Sequence, residues 1–158
     1  MDSSELCEAL SRVLLQRGWM LATAESCTGG MIAARCTDQA GSSQWFERGF
    51  VSYSNDAKSE LLGVPPELIA QHGAVSEAVA RAMASGAVQH ARAQVSVAVT
   101  GIAGPAGGSP DKPVGTVWFG WSVDGVISTE RCVFGGDRAA VREATVQHAL
   151  QGLLKRLA

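Results

Sequence analysis

The chain has no run of Lys or Arg, no Cys-x-x-Cys pair, no internal repeat and no apolar stretch long enough to cross a bilayer. Each absence excludes a class of protein. Thirteen basic residues are scattered among fifteen acidic ones, for a net charge of −2 and a pI of about 5.9. A nucleic-acid binder shows a basic excess or a basic stripe, so no nucleic-acid partner is expected. The longest apolar stretches, such as Val95–Val99, fall far short of the ~20 residues a span needs, so no membrane partner is expected either. The opening Met1-Asp2-Ser3-Ser4-Glu5 is acidic, unlike a signal peptide, and the expected location is the cytoplasm. Cys7, Cys27, Cys36 and Cys132 have neither metal-ligand nor redox-pair spacing. In a reducing compartment Cys7, Cys36 and Cys132 read as small buried hydrophobes. Lysine and tyrosine are scarce as well: three lysines against ten arginines, and a single tyrosine.

What remains is a globular chain of 158 residues, 46% hydrophobic and 18% charged. That is one domain's length, so a single domain over residues 1–158 is expected. A domain near 150 residues hides about 68–70% of its unfolded surface, enough for a sizeable core.

Hydrophobic spacing divides the chain into helices interleaved with short apolar strands. Ser3–Arg17 carries Leu6, Leu10, Val13 and Leu14 at helical spacing, and Gly18 stops it. Trp19–Thr23 reads as a buried strand, Glu25–Gly30 as a tight turn and Met31–Thr37 as a helix. A second strand lies in the latter half of Trp45–Tyr53. Asn55 or Asp56 is placed to cap a helix through Leu62. Pro65-Pro66 begins a short helix to Gln71, and Ser76-Glu77 a longer one to about Ala91. Val95–Thr100 is another buried strand. Gly101–Pro113 holds too many glycines and prolines for regular structure. Asp124-Gly125, between Thr116–Val123 and Val126–Phe134, is a hairpin signal. Gly135-Gly136-Asp137 turns into a last helix, Arg138–Leu157. The order α-β-α-β-α-α-β-β-β-α implies a layered α/β domain. The hairpin demands an antiparallel pair, so the sheet is expected to be mixed.

Three segments can carry chemistry. The first is Ala24-Glu25-Ser26-Cys27-Thr28-Gly29-Gly30, after a strand and before a helix. Ligands of α/β sheets bind outside the carboxyl ends of the strands, and a helix start aims free N–H groups outward. A serine there can attack, while neighbouring N–H groups hold an oxyanion or a phosphate. Plain helix capping by Ser or Thr is the competing reading. The second is the loop Thr100-Gly101-Ile102-Ala103-Gly104-Pro105, which fits neither a Walker A nor a dinucleotide fingerprint. Its glycines allow backbone to approach a ligand closely; a connecting loop is the alternative, but the length of the irregular segment, about a dozen residues running on past Pro110, favours a functional loop. The third is Tyr53-Ser54-Asn55-Asp56-Ala57-Lys58. A desolvated lysine can give up its proton, whereas arginine effectively cannot. A solvated lysine on a helix face is the alternative. His72, His90 and His148 are far apart, and no Ser-His-Asp arrangement is evident.

Together with Gly41-Ser42-Ser43, Gly73-Ala74-Val75-Ser76 and Lys112-Pro113-Val114-Gly115-Thr116-Val117, these motifs resemble the CinA carboxy-terminal domain family over nearly the whole chain, from about Leu6 to Leu154. That resemblance implies a three-layer α/β/α sandwich with a mixed, mostly parallel sheet, usually oligomeric. It implies hydrolysis of the carboxamide of nicotinamide mononucleotide to nicotinate mononucleotide and ammonia, a step of pyridine nucleotide salvage. The family's catalytic serine, tyrosine and lysine fall on Ser26, Tyr53 and Lys58. The expected scheme has Ser26 attack the amide carbon and neutral Lys58 accept its proton, directly or through Tyr53. The N–H groups near Cys27 and Thr28 form the oxyanion site. No metal or cofactor is called for. The 5′-phosphate has several candidate anchors: Gly29 and Gly30, the loop of Thr100, Gly101 and Gly104, and Arg138 or Arg142; one helix terminus cannot easily serve both oxyanion and phosphate, which favours the Gly101 loop and an arginine. Cys27 is a rival nucleophile, because a thiol at a helix start can ionise more easily. A non-catalytic nucleotide-binding module and a hydrolase of another amide are the alternatives. The charge distribution gives no support to a competence or DNA-repair role.

Overall fold

The computed structural model describes residues 1–158. Its elements are α1 (Ser3–Arg17), β1 (Leu21–Glu25), α2 (Met31–Thr37), a short 3-10 turn (Ser42–Gln44), β2 (Phe46–Val51), α3 (Asn55–Leu62), α4 (Pro66–His72), α5 (Glu77–Gln89), β3 (Val95–Gly101), β4 (Thr116–Val123), β5 (Val126–Val133) and α6 (Arg138–Leu157). One five-stranded sheet runs in the order β2-β1-β3-β4-β5. β1 pairs in parallel with both β2 and β3, whereas β4 is antiparallel to β3 and to β5. Four strands therefore point one way and only β4 is reversed. The sheet is mixed and mostly parallel, as expected.

The helix ends follow from local chemistry. The Asp2 carboxylate caps α1 by accepting the Glu5 N–H, and Gly18 closes it in the left-handed conformation. The Asp137 carboxylate caps α6 through the Ala140 N–H. Ser54, rather than Asn55 or Asp56, caps α3: its hydroxyl accepts the Ala57 N–H at 3.0 Å. Asn55 and Asp56 thus occupy the first turn. β1 begins two residues later than the apolar run suggested and runs on through Glu25. Trp19 and Met20 are spent on the turn out of α1, where the Met20 N–H donates to the Gln94 side chain.

Two apolar clusters lie on opposite faces of the sheet. Leu21, Val95, Val97, Val99, Val117, Phe119 and Trp121 pack with residues of α1, α2 and α6. Their strand neighbours Ala22, Ala24 and Ala98 pack against α5 and against Leu62, Val64 and Ile69. This is the period-two alternation of strands buried on both sides. Burial of each large aliphatic or aromatic side chain contributes about 1.5–3 kcal/mol. The second face is small-residue packing, which brings α5 close. A Cβ on Gly120 would lie 2.5 Å from the Ala80 carbonyl oxygen. No helix is long and apolar enough to cross a membrane.

The connections place the site. From β1 the chain passes through α2, on one face, to β2; it returns to β3 from α5, on the other face. The carboxyl ends of β1 and β3 consequently flank a crevice where the crossovers diverge, the place where open α/β sheets bind ligands.

Candidate active site

Ser26 is the first residue beyond β1, and its N–H donates to the Val99 carbonyl of β3 at 3.1 Å. The turn that follows is fixed by Glu25, a buried carboxylate that the sequence reading passed over. One Glu25 oxygen accepts the Thr28 hydroxyl at 2.5 Å and the Ile32 N–H at 2.8 Å, while the other accepts the Ala33 N–H at 3.0 Å. The start of α2 is thereby already occupied by an anion. Gly29 and Gly30 sit at φ of 58° and 107°, left-handed conformations that shape the turn. Neither lines the adjoining cavity.

Lys58, in the first half of α3, reaches back to this turn. Its Nζ lies 3.1 Å from Ser26 Oγ and 2.9 Å from the Tyr53 carbonyl oxygen. Ser26 Oγ is 3.3 Å from the same carbonyl. Lys58 is only 1% exposed, which removes the solvated alternative. Burial pushes its pKa below the usual 10.5, with the neighbouring Cys27 opposing the change. Tyr53 contributes its main-chain carbonyl to the pair. Tyr53 is 59% exposed and is among the residues lining the cavity, and its phenol makes no hydrogen bond to Ser26 or Lys58. The lysine–serine contact is direct, with no phenol between the two groups.

The cavity holds about 240 Å³ and is lined by Ser26, Cys27, Tyr53, Asn55, Lys58, Thr100, Gly101 and Arg138, with Ala74, Val75 and Ala103 as its apolar wall. No carboxylate lines it. The Cys27 and Thr28 N–H groups donate to no oxygen acceptor of the protein. The Cys27 thiol is buried, and burial pushes its pKa up to about 11, so it stays protonated near neutrality and is a poor rival to Ser26.

The remaining candidates divide. The Thr100 hydroxyl donates to the Ala74 carbonyl at 2.9 Å, tying the 73–76 loop to the end of β3. Gly101 admits no side chain: a Cβ would lie 2.7 Å from Val117 Cγ2 and 3.2 Å from Cys27 Sγ. The Gly104 carbonyl accepts from Arg138 Nη1 at 2.9 Å, which steadies Arg138 where it lines the cavity. Arg142 does not reach the cavity. Its Nε and Nη2 donate to the carbonyls of Cys27 and Thr28 at 3.1 and 3.2 Å, so it braces the serine turn. Asn55 was missed as a lining residue, because it had been read as a helix cap. The three histidines lie outside the cavity lining.

The site thus sets a serine hydroxyl against a buried amine at the carboxyl edge of an α/β sheet, the arrangement of a nucleophile beside a base. The CinA C-terminal domain family matches residues 3–157, and the chain belongs to that family. It is 55% identical over 150 residues to the nicotinamide-nucleotide amidohydrolase PncC of Escherichia coli (strain K12), covering 94% of this chain and 91% of that one. It is 57% identical over 143 residues to a CinA-like protein of Mycolicibacterium gilvum, covering 90% of this chain but 34% of that longer one. The solved structure of competence damage-inducible protein A from Klebsiella pneumoniae superposes with a TM-score of 0.96 at 43% identity, over 99% of this chain and 98% of that one.

Proposed function

We propose that this protein is an amidohydrolase that converts nicotinamide mononucleotide to nicotinate mononucleotide and ammonia, with Ser26 as nucleophile and Lys58 as general base. The observation that carries this reading is the buried Lys58 amine, 3.1 Å from Ser26 Oγ. A neutral amine keeps one N–H on the Tyr53 carbonyl and turns its lone pair toward the serine hydroxyl. Ser26 Oγ bonds to the carboxamide carbon as its proton passes to Lys58. The carbonyl oxygen becomes an oxyanion facing the Cys27 and Thr28 N–H groups. The C–N bond then breaks, Lys58 returns the proton to the departing nitrogen, and ammonia leaves. Water attacks the acyl-enzyme by the same route in reverse, freeing nicotinate mononucleotide and restoring Ser26.

The substrate assignment rests on the 55%-identical amidohydrolase and on the cavity's charge, with Arg138 present and no carboxylate in the lining. Of the phosphate anchors considered, Arg138 beside Gly101 and Gly104 is the one we retain. A guanidinium suits a phosphate's paired oxygens.

Ammonia release from nicotinamide mononucleotide, compared with free nicotinamide and other amides, tests the reading. Release that is abolished in Ser26→Ala and in Lys58→Ala supports it. Tight binding without turnover by the unaltered protein would instead make it a nucleotide-binding module.

A further inference from the structure

Outside the Ser26 cavity, three side chains with metal-binding donors converge between β5 and α6: Glu130, Cys132 and His148. Glu130 and Cys132 stand two residues apart on β5, hence on one face of the strand. His148 approaches from α6. His148 Nε2 lies 3.0 Å from Glu130 Oε1 and 3.6 Å from Cys132 Sγ, and the three donor atoms all fall within 4.8 Å of one another. Tetrahedral zinc, with bonds of about 2.0–2.2 Å to nitrogen and oxygen and about 2.3 Å to sulfur, sets its N and O ligands roughly 3.4 Å apart and its N and S ligands roughly 3.6 Å apart. Those two separations are nearly met before any ion is placed.

We propose that Glu130, Cys132 and His148 form a three-ligand site for a zinc-type divalent cation, with water in the fourth position. A mixed N, O and S donor set favours such an ion over magnesium or calcium, which take oxygen ligands. The surroundings orient two of the three ligands. The His148 ring packs against Phe119, Phe134 and Trp121, with centroids 4.7, 6.2 and 6.0 Å away. Arg156 Nη2 holds the second Glu130 oxygen at 2.8 Å, leaving Oε1 facing His148. Arg156 is itself placed over the Trp121 ring, 3.8 Å from its centroid. Such supporting partners tune metal affinity strongly. The side chains of Glu130 and His148 are 35% and 28% exposed, giving an ion a route in and leaving room for the water. Binding exchanges the Cys132 S–H proton, released to solvent, for a sulfur–metal bond. The ion would pin the outer strand β5 to α6.

The test is a titration of chelator-treated protein with Co²⁺, followed by absorption, and then with Zn²⁺. We expect one cobalt per chain, a thiolate-to-cobalt charge-transfer band, and loss of that band with one equivalent of zinc. Cys132→Ser abolishes the band and weakens zinc binding about tenfold or more, with an unchanged far-ultraviolet circular dichroism spectrum. Glu130→Gln keeps the band and weakens binding. No thiolate band with cobalt would overturn the proposal and leave a hydrogen-bonded Glu130–His148–Arg156 cluster. A band that survives in Cys132→Ser would overturn it too, placing the ion at another cysteine. None of these readouts depends on amidase activity.

Discussion

Arg142 Nε donates to the main-chain oxygen of Cys27 at 3.1 Å, across 115 positions of sequence. The guanidinium spans the Cys27 and Thr28 carbonyls, and so fixes the peptide planes that carry the Thr28 and Gly29 N–H groups, the first of which is one of the two proposed for the oxyanion. Arg142 acts through the turn and is a positioning residue. Arg142→Met is expected to lower kcat by about tenfold to a hundredfold, since a misplacement of ~1 Å near the chemistry costs on that order. KM for nicotinamide mononucleotide should change little. A raised KM with unchanged kcat would return Arg142 to the role of phosphate ligand.

Lys58 as the base predicts how the reaction depends on pH. Its pKa lies below 10.5 in the folded protein because the amine is buried, and only the neutral amine accepts a proton. kcat/KM should therefore rise with pH through one ionisation below 10.5 and then level. Lys58→Arg, which cannot deprotonate at any working pH, should lose about 10²–10⁴-fold in kcat. Stability follows the same group. Between the folded pKa and 10.5 the unfolded chain binds the extra proton, so wild-type stability rises with pH across that window. Lys58→Met should be more stable than wild type below the window, and its advantage should shrink as the pH climbs. Denaturant unfolding at a series of pH values measures this.

Glu25 joins fold to site. Its carboxylate takes the Thr28 hydroxyl and the N–H groups of Ile32 and Ala33, one residue before the nucleophile. In Glu25→Gln, an amide N–H must face one of those donors. A buried donor left unsatisfied costs about 1–3 kcal/mol. For a domain of this size a loss of about 2 kcal/mol lowers Tm by about 4–8 °C. A thermal melt should show that drop, together with a fall in kcat as the serine turn loosens. An unchanged melt would mean that the turn is held by other bonds.

What could be read from the sequence was what depends on near neighbours. The bounds of α1, α2 and α6 follow from capping residues and from glycines only a few positions away. The Ser26 turn was recognisable because a strand, a small-residue turn and a helix succeed one another directly. The burial of Lys58 was not, because a single lysine between Ala57 and Ser59 has the look of a solvent face; what its amine meets comes from the turn after β1 and from the loop ahead of α3. Arg142 and Arg138 could not be told apart either. Both are arginines early in the same helix, and their different tasks are set by carbonyls more than thirty and more than a hundred positions away. Glu25 was overlooked because an acidic residue beside a turn reads as surface unless the helix start it caps is known.

Arg138 is the complement to Arg142. Its guanidinium lines the cavity while one nitrogen rests on the Gly104 carbonyl, which leaves donors for a ligand's phosphate. Charged hydrogen bonds to phosphate are worth about 1.5–3 kcal/mol, so Arg138→Gln should raise KM for nicotinamide mononucleotide about tenfold to a hundredfold. The uncharged riboside, which has the same carboxamide and sugar but no phosphate, provides the control. If Arg138 meets the phosphate, the substitution should leave kcat/KM for the riboside within a few-fold of wild type, and the two substrates should converge in the variant. If both substrates lose equally, Arg138 is supporting the Gly101–Gly104 loop instead, and the phosphate is held elsewhere.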